Sequence, residues 1–132
     1  MQPGDIRPAL RLWSGSPGTS TNDSPAELRR FLRRNPGGSF VAESDRRLVG
    51  AVLGGHDGRR GALWHLAVLP RFRRLGLGRR LVDRAVAVIR RQGIRKINIL
   101  VLLDNRSAIR FWAKTGWSRF AVANFSLRPR KP

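Results

Sequence analysis

The stretch from Pro70 to Arg80, PRFRRLGLGRR, sets Arg71, Arg73, Arg74, Arg79 and Arg80 around Gly76 and Gly78. An apolar run, Ala62–Leu69, leads into it. Leu77, Leu81, Ala85, Val88 and Ile89 follow at helical spacing. Two glycines let backbone approach a ligand closely and leave its amides exposed. A helix that starts there adds unpaired N–H groups and a partial positive charge. The arginines add full charges. That chemistry suits pyrophosphate. A plain strand-to-helix turn with surface arginines would have the same composition. Other phosphate motifs fail here. A P-loop needs Gly-Lys followed by Ser or Thr, and no Gly-Lys occurs. The dinucleotide fingerprint needs a third glycine where Leu81 stands, and an acid about 20 residues on is missing.

The elements that would hold this turn read as mixed α/β. Asp5 to Trp13 reads as a short helix with Asp5 as its cap, and Ser14 to Asn22 as a loop. Ser24-Pro25, with Glu27 three residues after Ser24, is a capping-box start. The helix it opens carries Leu28, Phe31 and Leu32 on one face, beside Arg29, Arg30, Arg33 and Arg34. Ser39–Glu43 and Arg47–Gly54 flank Ser44-Asp45-Arg46 as a hairpin. Gly54 to Gly61 is a glycine-punctuated turn, and Ala62–Leu69 a third strand. The helix after the arginine turn stops at Gly93. Lys96–Leu103 (KINILVLL) reads as a central strand covered on both sides. Asp104 or Asn105 caps a last helix ending at Gly116. Trp117–Ala121 and Val122–Leu127 read as weaker strands, and residues 128–132 as a loose basic tail.

The 132 residues fit a single domain, 1–132, and 41% of them are hydrophobic, enough for a core. Cysteine is absent, which excludes disulfides, a thiol nucleophile and thiolate zinc sites. Two histidines are too few for a histidine-rich metal site, so no metal is expected. No apolar stretch approaches the roughly 18 residues of a membrane span, and no signal-peptide pattern opens the chain, so a cytoplasmic protein is expected. Lys plus Arg is 27 against 8 acids, a net +19. That excess favours polyanionic partners: nucleic acid, an anionic surface or a phosphate-rich ligand.

Arg73-x-x-Gly76-x-Gly78, following a strand that ends L-A-V-L-P, resembles the pyrophosphate motif of the GNAT superfamily of acyl-CoA-dependent N-acyltransferases. Asn105-x-x-Ala108-x-x-Phe111-Trp112-x-x-x-Gly116-Trp117 is similar to a second block of that family, at its usual separation. The turn from Gly55 to Gly61 looks like the small stand-alone bacterial members called YpeA-like. The resemblance covers about Ser24 to Phe120. It implies the GNAT-like α+β fold. That is one mixed, mostly antiparallel twisted sheet with helices on both faces and a splay between two central parallel strands, here Ala62–Leu69 and Lys96–Leu103. The family normally opens with a strand that this sequence lacks, so an uncovered sheet edge and a homodimer are expected.

The resemblance also implies roles. Leu66, Ala67 and Val68 would offer backbone hydrogen bonds to the pantetheine arm of acetyl-CoA, with the Val68 amide polarising the thioester carbonyl. Arg73, Arg74, Leu75, Gly76, Leu77, Gly78 and Arg79 would hold the pyrophosphate. Asn105 would contact pantetheine, and Trp112 would lie near the thioester. The amine acceptor would attack directly. Two departures stand out. The family's usual acid is a Tyr where this chain has Trp112, and there is no Tyr at all. The Glu base of some members aligns with Leu100. His65, Glu43, Asp57 and His56 remain as base candidates, with His65 and Glu43 foremost. Their ordinary readings are a packing histidine, a solvated edge carboxylate and turn residues. Three functions follow: an N-acetyltransferase, an acyl-CoA-binding module without turnover, and a basic nucleic-acid-associated protein.

Overall fold

Ser24, Pro25 and Glu27 start a helix as their types require. The Ser24 Oγ accepts from the Glu27 N–H at 3.2 Å, and the Ser24 N–H donates back to the Glu27 carboxylate at 2.6 Å. In the computed structural model, which describes residues 1–19 and 22–129, this helix is α2, Pro25–Arg34, and α1 is Ile6–Ser14. Asp5 does not cap α1 with its side chain. A 3-10 turn, Pro3–Asp5, runs straight into α1, and the Asp5 carboxylate instead accepts from the Gln2 N–H at 2.7 Å.

Strands β1 (Phe40–Ser44), β2 (Arg47–His56) and β3 (Gly61–Val68) form an antiparallel meander. The first hairpin turns on Asp45 and Arg46, at φ 49° and 61°. Two consecutive left-handed residues match the twist of the strands they join. Helix α3 (Leu77–Arg91) crosses over to β4 (Ile97–Ile99), which runs parallel to β3, and α4 (Arg106–Lys114) follows. The sheet order is β1-β2-β3-β4. It is therefore mixed and mostly antiparallel, with helices on both faces, as expected.

One face packs α1 and α2 against the sheet through Ile6, Ala9, Trp13, Leu28, Ala51 and Leu53. The other packs α3 and α4 through Val52, Leu63, Leu81, Ala85, Ile89 and Trp112. Alternation along β2 makes this sorting: Ala51 and Leu53 go one way and Val52 the other.

Three expected strands are corrected. Lys96–Leu103 pairs only through Ile97–Ile99, and Leu100, Leu102 and Leu103 are exposed. A run of β-favouring residues becomes strand only where a neighbour accepts its hydrogen bonds, and β3 has turned away by then. Among the described residues, Trp117–Ala121 and Val122–Leu127 form no strand, and Phe120, Val122, Phe125 and Leu127 are exposed. Of the tail, residues 130–132 lie outside the described residues.

Candidate active site

β3 is eight residues long, but only Gly61, Ala62 and Leu63 pair with β4. Beyond Leu63 the two parallel strands part. The cause lies on the other side of β3, where the register with β2 shifts between Ala51 and Leu53. His65 takes up the extra residue at φ 56°, a left-handed conformation that a side chain rarely adopts. The bulge re-aims the strand and opens a gap along its far edge. Gly50 and Val68 face each other as a non-hydrogen-bonded pair, because the neighbouring Leu69 N–H donates to the Val49 carbonyl at 2.8 Å. The Val68 N–H and C=O therefore point into the gap, and by alternation so do those of Leu66. The Val68 carbonyl is taken by Arg73 Nε at 2.9 Å, which leaves the Val68 N–H as the donor on that edge.

The gap leads to the start of α3. Gly76 is its N-cap at φ 77°, and no side chain caps it. Arg74, two residues earlier, is also left-handed at φ 63°. The first amide to find an intrahelical acceptor is that of Arg80, 3.0 Å from the Gly76 carbonyl. Leu77, Gly78 and Arg79 thus present the unpaired N–H groups that any helix start leaves. A Cβ on Gly76 would meet nothing within 4 Å, so open space lies before these amides. Gly78 differs. Its Cβ would lie 3.6 Å from the Phe111 ring and 3.9 Å from Val68. A side chain there would make ordinary van der Waals contact, so the packing of α3 on α4 does not by itself demand this glycine. Arg73, Arg74, Leu75 and Arg79 are exposed around the turn, with Arg79 reaching Asp83 at 4.0 Å. The cradle is cationic, open and made of backbone, which fits an anion such as pyrophosphate.

The bulge has a second effect. Trp64 and His65 are consecutive, yet both line one cleft of about 450 Å³ on the α2 side of the sheet. In regular strand they would face opposite ways. Leu28, Leu53 and Phe31 form its apolar wall, with Phe31 edge-on to Trp64 at 5.3 Å. His65 Nε2 lies 3.6 Å from the Asp23 carboxylate, and the imidazole ring packs 5.3 Å from that of Trp13. Burial pushes the His65 pKa below its ordinary value, and Asp23 opposes this only in part. The imidazole is then neutral near pH 7 and free to accept a proton.

A sequence model of the acetyltransferase (GNAT) family matches residues 8–117. The chain belongs to the GNAT acetyltransferase family. An acetyltransferase of Yersinia enterocolitica is 37% identical over 93 residues, 70% of this chain and 66% of that protein. The match therefore spans just under two thirds of that relative's length. Ard1 from Thermoplasma volcanium superposes with a TM-score of 0.80 at 28% identity, over 92% of this chain and 81% of its own. Rv2747 from Mycobacterium tuberculosis, solved with CoA, has a TM-score of 0.73 at 18% identity, over 95% and 73% of the two chains. At that identity the likeness is one of fold.

This GNAT chain departs from its family where a proton donor is expected. Trp112 is 7% exposed, with Phe111 and Trp117 edge-on at 5.1 and 4.8 Å. It is a core residue of the α4 face, in the same cluster as Val68. Asn105 caps α4, its Oδ1 accepting from the Ala108 N–H at 3.2 Å. Glu43 is exposed beside the first hairpin turn, paired with Leu48, whereas His65 lies at the level of Leu53. His65 and Glu43 are therefore not brought together. His56 and Asp57 build their turn. His56 Nδ1 accepts from the Gly58 N–H at 3.0 Å, which leaves Nε2 protonated to donate to Gln92 at 2.9 Å. The Asp57 carboxylate accepts from the Arg59 and Arg60 amides at 2.9 and 2.8 Å, which hold its pKa low. Leu100 is exposed beyond β4. Sequence reasoning missed Asp23, Trp64 and Phe31 as cleft residues. Trp64 reaches this face by plain alternation after Leu63, and the bulge adds His65 to it; no local pattern announces a bulge.

Proposed function

We propose that this chain is an N-acetyltransferase that moves acetyl from acetyl-CoA to an amine by direct attack. The observation that carries the reading is one strand with two openings. β3 leaves the Val68 N–H on a free edge that runs to the uncapped start of α3. Acetyl-CoA is the cosubstrate and supplies an activated thioester. Amides from Leu77 to Arg79 would hold its pyrophosphate, with Arg73 and Arg74 adding charge. The backbone of Leu66 and Val68 would align the pantetheine arm. The Val68 N–H is a fixed dipole for the oxyanion that develops on the carbonyl. His65, neutral and beside Asp23, would take the proton from the attacking amine. With Trp112 packed in the core, the leaving thiolate would take its proton from water in the open gap. Glu43 lies several residues further along the sheet, and we assign it no part.

Melting the protein with acetyl-CoA, ADP or short duplex DNA in about 150 mM salt tests this reading. Ligand at about 100 times its Kd adds about 2.7 kcal/mol, a rise of roughly 10 °C for a domain of this size. A large shift with acetyl-CoA, well above ADP, together with release of free CoA thiol on adding amines, is the expected outcome. A shift only with DNA would overturn it.

The buried Trp112 favours one alternative: an acyl-CoA-binding module without turnover. A shift with acetyl-CoA but no thiol release across a broad amine panel would select it.

A further inference from the structure

The chain carries 27 basic residues and 8 acids, yet the cleft between α2 and β3 reverses that balance. Its lining holds Asp23 and Glu27 and no Lys or Arg. Its other walls are Trp64, Phe31, Leu28 and Leu53. Both carboxylates are fixed rather than free to swing. Glu27 is held by the Ser24 amide, a bond that also keeps its carboxyl below the ordinary range. Asp23 lies against His65. Behind the lining, Trp13 packs on the His65 ring, its buried Nε1 without a partner among the described residues. An anionic, aromatic-walled cleft beside a neutral imidazole takes a cation with an apolar body.

From these features we infer that the cleft is the acceptor site and that it selects a short amine bearing a second positive charge. This rests on the acetyltransferase reading and adds the substrate class to it. The reacting ammonium enters at Asp23 and gives its proton to His65. The second cation pairs with Glu27, and the linking carbons lie on Trp64 and Phe31. The surrounding +19 does not defeat this arrangement. At physiological salt, charges more than about 8 Å away are largely screened, whereas a contact pair in a cleft is not. Arg30 is close enough to Glu27 to help hold its carboxyl low, but it lies outside the lining. Its charge disfavours a long polyamine that would extend past Glu27, so the acceptor is short.

Calorimetric titration of the full chain with 1,5-diaminopentane and with pentylamine, equal in length and different by one charge, needs no turnover. The diamine is expected to bind about ten-fold tighter, the size of one partly solvated charge-assisted contact. Glu27→Gln should bring the two amines to within about two-fold of each other, because a Gln at this position keeps the capping box and loses only the charge. Asp23→Asn is the second variant and should weaken both amines. Equal affinities in the parent protein, or discrimination that survives Glu27→Gln, would overturn the inference. An absent melting shift with acetyl-CoA would instead overturn the acetyltransferase reading, even with amine discrimination intact.

Discussion

Helices α2 and α3 both begin beside β3, and their first turns have opposite chemistry. At α2 the chain satisfies its own amides. Ser24 and Glu27 exchange hydrogen bonds, and Pro25 removes one donor outright. What faces outward is carboxylate, from Glu27 and neighbouring Asp23. At α3 nothing caps the helix. Gly76 offers no side chain, and the amides that follow stay open amid arginines. A capped start exposes the cap, and an uncapped start exposes the dipole. One strand thus separates the proposed anion site from the proposed cation site, with His65 and Val68 between them. The comparison teaches that local capping choice decides which polarity a helix start lends to a site.

The largest break in this comparison comes at its centre. His65→Gln removes the proton acceptor and leaves both helix starts in place. Transfer to amines should fall by about 10²–10⁴, while the acetyl-CoA melting shift stays within a degree or two of the parent. Steady-state rates with matched melts check this. Undiminished transfer would remove His65 from the mechanism. The next effect inverts α3 towards the α2 pattern. Gly76→Asp places a carboxylate at the open start, and Gly76→Asn places its neutral analogue there. Both residues tolerate left-handed backbone. Acetyl-CoA affinity should drop about 100-fold with Asp, which is about 2.7 kcal/mol by the standard conversion, and only a few-fold with Asn. Equal losses would mean that the cradle is filled by shape, not by charge.

Much of this contrast was legible in the sequence, and the limit has a physical cause. The α2 cap, the arginine–glycine turn, the Gly93 stop and the Asn105 cap are written in adjacent residues, because helix ends are local. The bulge at His65 is not local. It depends on the pairing of β2 with β3 slipping by one residue, so nothing in GALWHLAV foretells that Trp64 and His65 share a face. Lys96–Leu103 misled for a similar reason. Its residues favour strand throughout, but pairing ends at Ile99 because β3 diverges. Contacts between distant segments decided each case.

A smaller effect sharpens the α2 side alone. Ser24→Ala leaves the Glu27 amide without its acceptor, while the backbone N–H at position 24 still holds the Glu27 carboxylate. Losing such a cap costs about 1 kcal/mol, a fall of roughly 4 °C in Tm for this size. Amine discrimination should survive, because the carboxylate stays on that backbone N–H, and acetyl-CoA binding should not change. A melt and two titrations separate these outcomes. Loss of discrimination would mean that the hydroxyl, and not the backbone N–H, holds Glu27 in place for the second cation.

The smallest effect concerns protonation of the group between the two sites. Folding lowers the His65 pKa from its ordinary 6.5 because burial disfavours the charged ring, with Asp23 pulling the other way. A depressed folded pKa means that the unfolded chain binds the proton first as pH falls. The contribution of His65 to stability is therefore whole above pH 6.5, declines as pH drops below that value, and levels off once the folded form is also protonated. Carboxylates held low by hydrogen bonds, such as Glu27 and Asp57, lose their contribution in a separate and more acidic window, below their ordinary 4.5 and 3.8. Between pH 7 and 5 the Tm of the parent should fall towards that of His65→Gln, and the comparison cancels every other titrating group. Asp23→Asn removes the opposing pull, so its decline should be steeper than the parent's. A Tm gap between parent and His65→Gln that held constant across this range would mean that the ring is solvated rather than buried. The neutral base assigned to it at pH 7 would then lose its structural cause.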